Sequence, residues 1–409
     1  MMTRIPKIAP THRRTVVAGF LTAGAAAAAA STSSLFARQA RAGDLWKGIT
    51  PDAHWNNFEM VVGDTLLVRA HIGNTPVEAI LDSGSAASII SASLASRLGL
   101  EGSEKRTIRG ISGRASAGLA HNIDLMIGRQ ASHLDAAFIV DLETASAAFG
   151  RPIDLVLGQD VFAGRCLALD FATSRYTLSE GFAGGPDWTP TPLGHGANRE
   201  LIAYASVAGL PPAPLVIDLG SATALMLARG YVDRHGLLDG KRRSTAMLGG
   251  VEGSRIATAF VADRVDLAGL GIDTIPALAV DPWLSVSTVG NIGLPLLAQF
   301  NLVLDFTVGR MWLHALPVDR RPPMLKDLSG FDLAASADAL TIVHLSEGSP
   351  AARGGWAVGE RIVAIDGKPI GTGYTRSSLW RWRYGPAGRR VKLTIEGGEV
   401  REIQLAAYY

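Results

Sequence analysis

Short apolar runs separated by turn residues dominate the chain from residue 58 onward. Runs of about four to eight apolar residues between Gly, Pro, Asn or Asp are typical of β-strands. The 46 glycines and 20 prolines supply the tight turns that such a fold requires. One short helix is predicted as well, over residues 92–98. The hydrophobic pattern therefore predicts a mainly β protein.

The chain also contains an internal repeat, which appears when the sequence is compared with itself. Residues 68–90 align with residues 204–227, and the segment beginning at Leu157 aligns with the one beginning at Ile292. The offset is 136 positions in the first pair and 135 in the second. A near-constant offset over this length predicts two homologous lobes. The matched positions are Gly73 with Gly209, Asp82 with Asp218, Gly84 with Gly220, Ser85 with Ser221, Gly158 with Gly293, Asp170 with Asp305, and Arg175 with Arg310.

The repeat also sets the predicted domain boundaries. We expect one lobe over residues 58–180 and a second over residues 200–317, related by a pseudo-twofold axis. A Pro/Gly-rich linker over residues 181–199 would join them. A second linker, residues 318–329, precedes a smaller third domain over residues 330–409. Because both lobes lie in one chain, pairing them does not require a homodimer.

Asp82 and Asp218 each follow an apolar run of the kind that forms a buried strand. A charge there costs free energy unless it is hydrogen-bonded. The glycine two positions on lets the backbone approach the carboxylate, and the serine three positions on has a hydroxyl that can donate to it. If the lobes pack about their axis, the two carboxylates face each other and share one proton. One acid can then take a proton from water while the other polarises a substrate carbonyl.

The sequence Asp82-Ser83-Gly84-Ser85, the apolar-Gly turns and the repeated lobe resemble the pepsin and retropepsin-like aspartic peptidases. The resemblance covers residues 58–317 and implies two β-barrel or sandwich lobes that hydrolyse peptide bonds without a covalent intermediate. It implies that Asp82 and Asp218 are the catalytic pair and that glycine-rich turns form flaps over the substrate. Ordinary hairpin loops are the alternative for these turns. The resemblance implies a supporting role for Ser83, Gly84, Ser85, Gly220 and Ser221, and a flap role for Gly110, Ser112, Gly113, Gly249 and Gly250.

The second motif departs from the family pattern, because Leu219 stands where the family has threonine or serine. That hydroxyl normally bonds across the lobe interface, and its loss should cost about 0.5–1.5 kcal/mol. Misplacement of a catalytic group by about 1 Å can cost on the order of a hundredfold in rate. Three alternatives therefore stay open: an active aspartic endopeptidase, a peptide-binding protein that keeps the fold with a degenerate pair, and a different hydrolase.

The third domain resembles the PDZ domains of bacterial exported proteases. Its Gly-Ser-Pro-Ala sequence from Gly348, its Gly-Glu-Arg-Ile sequence from Gly359 and Asp366-Gly367 fall in the expected order, within a small α+β domain. Such domains bind extended polypeptides or protein C-termini by strand addition, with backbone amides around the terminal carboxylate. A module that docks on the lobes without a ligand is the alternative. The residues implied in peptide binding are Gly330, Phe331, Leu333, Leu379 and Trp382.

Composition and the remaining motifs exclude several classes of function. The formal net charge of +2, with no dense Lys/Arg face, argues against a nucleic-acid partner. The nine histidines form no His-Glu-x-x-His motif, and no phosphate-binding glycine loop occurs, so neither a metal nor a cofactor is implied. Cys166, the single cysteine, cannot form an intrachain disulfide and is predicted to be a buried strand residue. A trypsin-like nucleophile at Ser83 is excluded because Leu81 and Ser85 replace the flanking glycines.

Residues 1–42 have the features of an export signal. Arg13-Arg14 precede an apolar, alanine-rich stretch, and Ala40-Arg41-Ala42 offers a small-x-small cleavage site. The paired arginines favour a twin-arginine signal. The expected location is periplasmic or secreted, with no integral membrane span after cleavage. An uncleaved signal that tethers the protein to the membrane is the alternative.

Overall fold

The structure, a computed structural model, describes residues 45–50, 53–100, 102, 105–109, 114–143, 145–146, 152–250 and 253–409. The predicted export signal lies outside them. The elements of the N-terminal half are β1 (Asn56–Asn57), β2 (Glu59–Val61), β3 (Thr65–Ile72), β4 (Thr75–Leu81), β5 (Ile89–Ser91), α1 (Ala92–Leu98), β6 (Arg106–Arg109), β7 (Arg114–Ile127), β8 (Gln130–Val140), β9 (Leu155–Leu157), α2 (Gln159–Phe162), β10 (Cys166–Asp170) and β11 (Arg175–Ser179).

The second half repeats this order of elements. Its elements are β12 (Thr189–Pro192), β13 (Gly194–His195), β14 (Leu201–Val207), β15 (Ala213–Asp218), β16 (Leu225–Ala228), α3 (Arg229–Arg234), β17 (Ser244–Gly250), β18 (Gly253–Leu267), β19 (Leu270–Val280), β20 (Gly290–Gly293), α4 (Leu294–Leu297), β21 (Phe300–Asp305) and β22 (Arg310–Ala315).

Each lobe is built on an eight-stranded sheet with the same topology. The strand order is β2-β3-β4-β9-β5-β8-β7-β6 in the first lobe and β13-β14-β15-β20-β16-β19-β18-β17 in the second. Strand β4 pairs in parallel with β9, and β15 pairs in parallel with β20. The predicted mainly β, two-lobed fold is therefore confirmed.

A third sheet joins the two lobes at the base of the molecule. Its order is β1-β11-β10-β21-β22-β12, and the lobes meet where β10 pairs with β21. One continuous apolar core runs through both lobes. The segment predicted as a linker, residues 181–199, contains β12 and β13, because both strands find partners in the second half. Cys166 is fully buried in β10, and burial raises the pKa of its thiol to about 12.

Local sequence explains helix α1, whose predicted bounds are confirmed. Ser91 caps its N-terminus, accepting a hydrogen bond from Leu94 N at 3.1 Å. Gly99 ends the helix in the left-handed conformation, with φ of 65°. The repeated Asp170 and Asp305 are structural, since each is buried and binds the backbone amide and hydroxyl of a threonine in its own turn.

The third domain has its own sheet and its own apolar core. The strand order is β23-β24-β25-β27-β28, with β26 paired to β25, and the core is separate from that of the lobes. No helix in the described part of the chain is long and apolar enough to cross a bilayer. The elements are β23 (Phe331–Ala335), β24 (Leu340–Leu345), α5 (Pro350–Arg353), β25 (Arg361–Ile365), β26 (Lys368–Pro369), β27 (Arg390–Ile395) and β28 (Val400–Gln404), with 3₁₀ helices at Val318–Arg320, Tyr374–Arg376 and Ser378–Tyr384.

Candidate active site

The two repeated aspartates lie at equivalent strand ends. Asp218 is the last residue of β15, and Asp82 directly follows β4. Parallel pairing of β4 with β9 and of β15 with β20 fixes the two loops. Asp82 N donates to Leu157 O at 2.9 Å, and Asp218 lies in register with Gly293. Asp218 is only 5% exposed. Each acid therefore leaves a rigid, buried strand just where its lobe faces the other lobe.

The lobes bring the two carboxyl groups side by side. Each carboxyl packs on the glycine of the opposite loop. A Cβ atom on Gly84 would lie 2.6 Å from Asp218 Cγ, and one on Gly220 would lie 2.4 Å from Asp82 Cγ. No larger residue fits at either glycine unless the opposite carboxyl moves. The structure thus joins the two acids that the repeat singled out.

Backbone amides hold each carboxyl group from its own loop. Gly84 N and Ser85 N donate to Asp82 Oδ1 at 2.9 and 3.1 Å, and Gly220 N donates to Asp218 Oδ1 at 3.0 Å. Hydrogen bonds to a carboxylate favour its charged form. The loops therefore offset part of the cost of burying an ionised acid.

The hydroxyl groups of Ser85 and Ser221 do not bind the carboxylates, contrary to the expectation from sequence. Ser85 Oγ donates to Ala87 O at 2.7 Å, and Ser221 Oγ donates to Thr223 O at 3.3 Å. Each loop turns back within two residues, so its own carbonyl is the acceptor that the hydroxyl meets. Ser85 supports Asp82 through its backbone amide instead.

Ser83 links the two loops across the lobe interface. Its hydroxyl donates to Ile217 O at 2.8 Å and accepts from Leu219 N at 3.0 Å, and the residue is fully buried. Leu219 has no hydroxyl with which to return the contact, and its side chain is part of the apolar core. The interface therefore keeps one of the two hydroxyl links that the family pattern implies.

Burial disfavours the charged form of both acids. It raises the pKa of Asp82, against the opposing hydrogen bonds of its loop. Burial also raises the pKa of Asp218 well above its usual range, and the adjacent Asp82 carboxyl adds to this effect. Two neighbouring acids whose pKa values are both raised cannot both ionise easily, which favours a state in which the pair shares one proton.

Asn291 is a polar neighbour of the pair that sequence reasoning missed. It lies fully buried in β20, and its Nδ2 donates to Asp218 Oδ2 at 2.5 Å. The repeat places Val156 of β9 at the equivalent position in the first lobe. In the sequence, an asparagine within a predicted buried strand, aligned with a valine of the other lobe, is the signal that could have revealed this neighbour.

Hairpins occupy the positions predicted for the flaps. β6 pairs with β7 up to Arg109 and Arg114, and β17 pairs with β18 up to Gly250 and Gly253. Gly249 and Gly250 lie at the end of β17. The other candidate flap residues, Gly110, Ser112 and Gly113, lie outside the described residues. A flap function of either hairpin remains a prediction.

The third domain contacts the second of these hairpins directly. Met247 N donates to Asp332 Oδ2 at 2.8 Å, and Ser244 Oγ donates to Glu347 O at 2.6 Å. Thr245 Oγ1 lies 3.2 Å from the His344 Nε2 atom. Strand β17 is therefore held from outside by residues of, or next to, β23 and β24.

The predicted peptide-binding residues of the third domain fall into two groups. Phe331 and Trp382 are buried in the core of this domain, with ring centroids 6.1 Å apart, so neither side chain is open to a ligand. Leu333 and Leu379 are half-buried at the edge of the same core. Gly330 adopts φ of 84°, and its amide donates to Asp327 at 2.9 Å.

Asp327 occupies the loop that was expected to receive a peptide carboxylate. Its Oδ1 accepts from Ser329 N at 2.5 Å and from Gly330 N at 2.9 Å, while Phe331 N donates to Ser329 Oγ at 3.2 Å. Arg383 Nε lies 3.6 Å from the second Asp327 oxygen. An internal carboxylate thus takes the amide of Gly330, one of the residues predicted to bind a peptide.

Two family models match the chain. Residues 68–161 match a model described as aspartyl protease, and residues 341–397 match one described as PDZ domain. The chain thus carries an aspartyl protease domain and a C-terminal PDZ domain, as the resemblance implied, which supports a peptidase in general terms. The first match includes Asp82 but ends before Asp218, whose place rests on the repeat and the geometry. None of the curated proteins compared with the chain matches it.

Proposed function

We propose that the protein is an aspartic endopeptidase in which Asp82 and Asp218 activate a water molecule for attack on a peptide bond. The observation that carries the proposal is the reciprocal packing of the two acids on Gly220 and Gly84, which places the half-buried Asp82 beside the buried Asp218. A pair that holds one proton contains a base and an acid side by side. The base takes a proton from water, and the acid gives its proton to the carbonyl oxygen of the substrate.

The decisive experiment compares the purified protein with Asp82→Asn and Asp218→Asn on an unfolded protein substrate, from acid to neutral pH. We expect cleavage by the wild type at mildly acid pH, inhibition by a statine-type transition-state mimic, and no cleavage by either variant. Asp305→Asn, which changes a buried repeated aspartate away from the pair, is the matched control and should retain activity. Equal inactivity of wild type and variants would reject the proposal.

A peptide-binding protein with a degenerate pair is the second candidate. Leu219 favours it, because one interfacial hydroxyl link is missing. The same samples separate the two candidates, since a binding protein would retain affinity for unfolded polypeptide in wild type and both variants without releasing fragments.

The PDZ domain completes the proposed function. We expect it to recruit or orient polypeptides for the lobes, with Leu333 and Leu379 at the groove. We further propose that the protein is exported through its N-terminal segment and works in the periplasm or outside the cell. Detection of the mature chain in a periplasmic fraction, with an N-terminus near Gly43, would test this location.

A further inference from the structure

Asn291 makes a contact with no counterpart in the other lobe. Its Nδ2 donates to Asp218 Oδ2 at 2.5 Å, from a strand that pairs directly with β15. The equivalent residue, Val156, offers Asp82 no donor. Both backbone amides that bind Asp82 donate to its Oδ1, whereas Asp218 accepts on both of its oxygens. The duplicated lobes are therefore unequal at the point where the acids meet.

Asp218 is the acid that most needs a further donor. Burial and the adjacent Asp82 carboxyl both disfavour its charged form. A hydrogen bond to a carboxylate acts in the opposite direction and stabilises the charge. Asn291 therefore offsets the disadvantage of Asp218 relative to Asp82.

The amide of Asn291 serves this contact at a cost. Its Oδ1 is buried and has no hydrogen-bond partner among the described residues. A buried carbonyl without a partner is destabilising. A residue needed only for packing would be apolar, as Val156 is in the equivalent strand. The bond to Asp218 is the interaction that accounts for an asparagine here.

We propose that Asn291 is a positioning residue of the carboxyl pair. By donating to ionised Asp218, it makes the state with the proton on Asp82 similar in free energy to the state with the proton on Asp218. The inference rests on the proposed function, in which either acid must be able to hold the proton. During attack, one acid takes a proton from water while the other gives its proton to the carbonyl oxygen. The pair holds one proton before and after this step, but on the opposite acid.

The test is the titration of the pair in wild type and in Asn291→Val. Aspartate labelled with ¹³C at the side-chain carboxyl reports the titration by NMR without any need for activity, and Asp82→Asn and Asp218→Asn assign the two signals. Loss of a hydrogen bond to a buried charge changes an ionisation constant by roughly ten- to a hundredfold. The two apparent pKa values of the pair, added together, should therefore rise by about one to two units. The limbs of the pH profile of kcat/KM should move with them.

Asn301→Val is the matched control. Asn301 is another buried asparagine, in strand β21 of the sheet that joins the two lobes. Its Oδ1 accepts from Phe171 N at 3.0 Å. This variant should lose stability without changing the titration of the pair. Val156 shows that valine fits the equivalent strand, and Asn291→Ser, which is smaller and too short to reach Asp218, should give the same shift if Asn291→Val fails to fold.

The outcomes separate this inference from the proposed function. Unchanged apparent pKa values in a folded Asn291 variant would overturn the inference, even if turnover falls. If wild type cleaves nothing but the titration shifts as expected, the proposed function fails and the role of Asn291 stands. If wild type cleaves and the titration does not shift, the function stands and Asn291 is structural.

Discussion

Removal of the Ser83 hydroxyl tests whether the two aspartate loops are held together across the lobe interface. In Ser83→Ala, the Ile217 carbonyl and the Leu219 amide both lose their partner. Ser83, Ile217 and Leu219 are each at most 1% exposed, so water cannot replace the lost bonds. One buried group left without a partner costs about 1–3 kcal/mol, so two should cost about 2–6 kcal/mol of unfolding free energy.

Urea denaturation followed by near-ultraviolet circular dichroism measures this loss, and exchange of the Leu219 amide hydrogen reports the same site directly. Ser85→Ala is the matched control, because it removes a hydroxyl from the same loop that donates only within the loop, to Ala87 O. It should cost about 1 kcal/mol or less. Equal losses in the two variants would refute the interfacial role of Ser83.

The same change should also reduce activity. If the loops separate by about 1 Å, cleavage should fall by on the order of a hundredfold. The Ser85 control should stay close to wild type, because Ser85 binds Asp82 through its backbone amide, which the change retains. A Ser83→Ala variant that is destabilised but fully active would show that the hydroxyl serves stability alone.

Two further predictions concern the third domain and its junction with the first lobe. Burial, partly offset by Thr65 and Arg383, raises the pKa of Asp64 to about 7, so the folded protein binds more protons than the unfolded chain between about pH 4 and 7 and loses stability as the pH rises through that window. Because Asp64 is partly exposed, Asp64→Asn should raise the unfolding free energy by only about 1–2 kcal/mol at pH 8 and leave it unchanged at pH 4. Urea denaturation measures both values, with the exposed Asp135→Asn as the control. An equal gain at both pH values would contradict this prediction. Because Asp327 occupies the loop amides, wild type should bind a peptide with a free C-terminal carboxylate no better than its C-terminal amide in calorimetry, while Asp327→Gly should gain a preference for the free acid; a strong preference in wild type would contradict the occupancy.

The acid pair was predictable because the information was local and repeated. Two apolar runs, each followed by Asp-x-Gly-Ser, identify Asp82 and Asp218 without knowledge of the fold. Helix α1 was predictable for the same reason, since Ser91 and Gly99 cap it from within nine residues. Signals of this kind survive in a single sequence because they depend on backbone geometry.

The partners of the pair were not predictable, because they depend on contacts between distant segments. Asn291 lies 73 positions from Asp218, and Ser83 lies 136 positions from Leu219. We expected the Ser85 and Ser221 hydroxyls to bind the carboxylates, but each hydroxyl meets a backbone carbonyl of its own loop instead. The docking of the third domain on β17 likewise needs three residues that only the folded chain brings together.

Two side chains support Asp218, whereas Gln159 supports the first loop by donating to Ser83 O at 2.9 Å. Ser83 of the first lobe holds the backbone on both sides of this residue, through Ile217 O and Leu219 N, and Asn291 holds its carboxyl group. Asp82 is held by the amides of its own loop. The hydroxyl missing at Leu219 would have bonded to the first loop, so its absence leaves the links to Asp218 intact. Leu219 therefore removes one of the two reciprocal links but leaves the side-chain contacts that hold Asp218 in place.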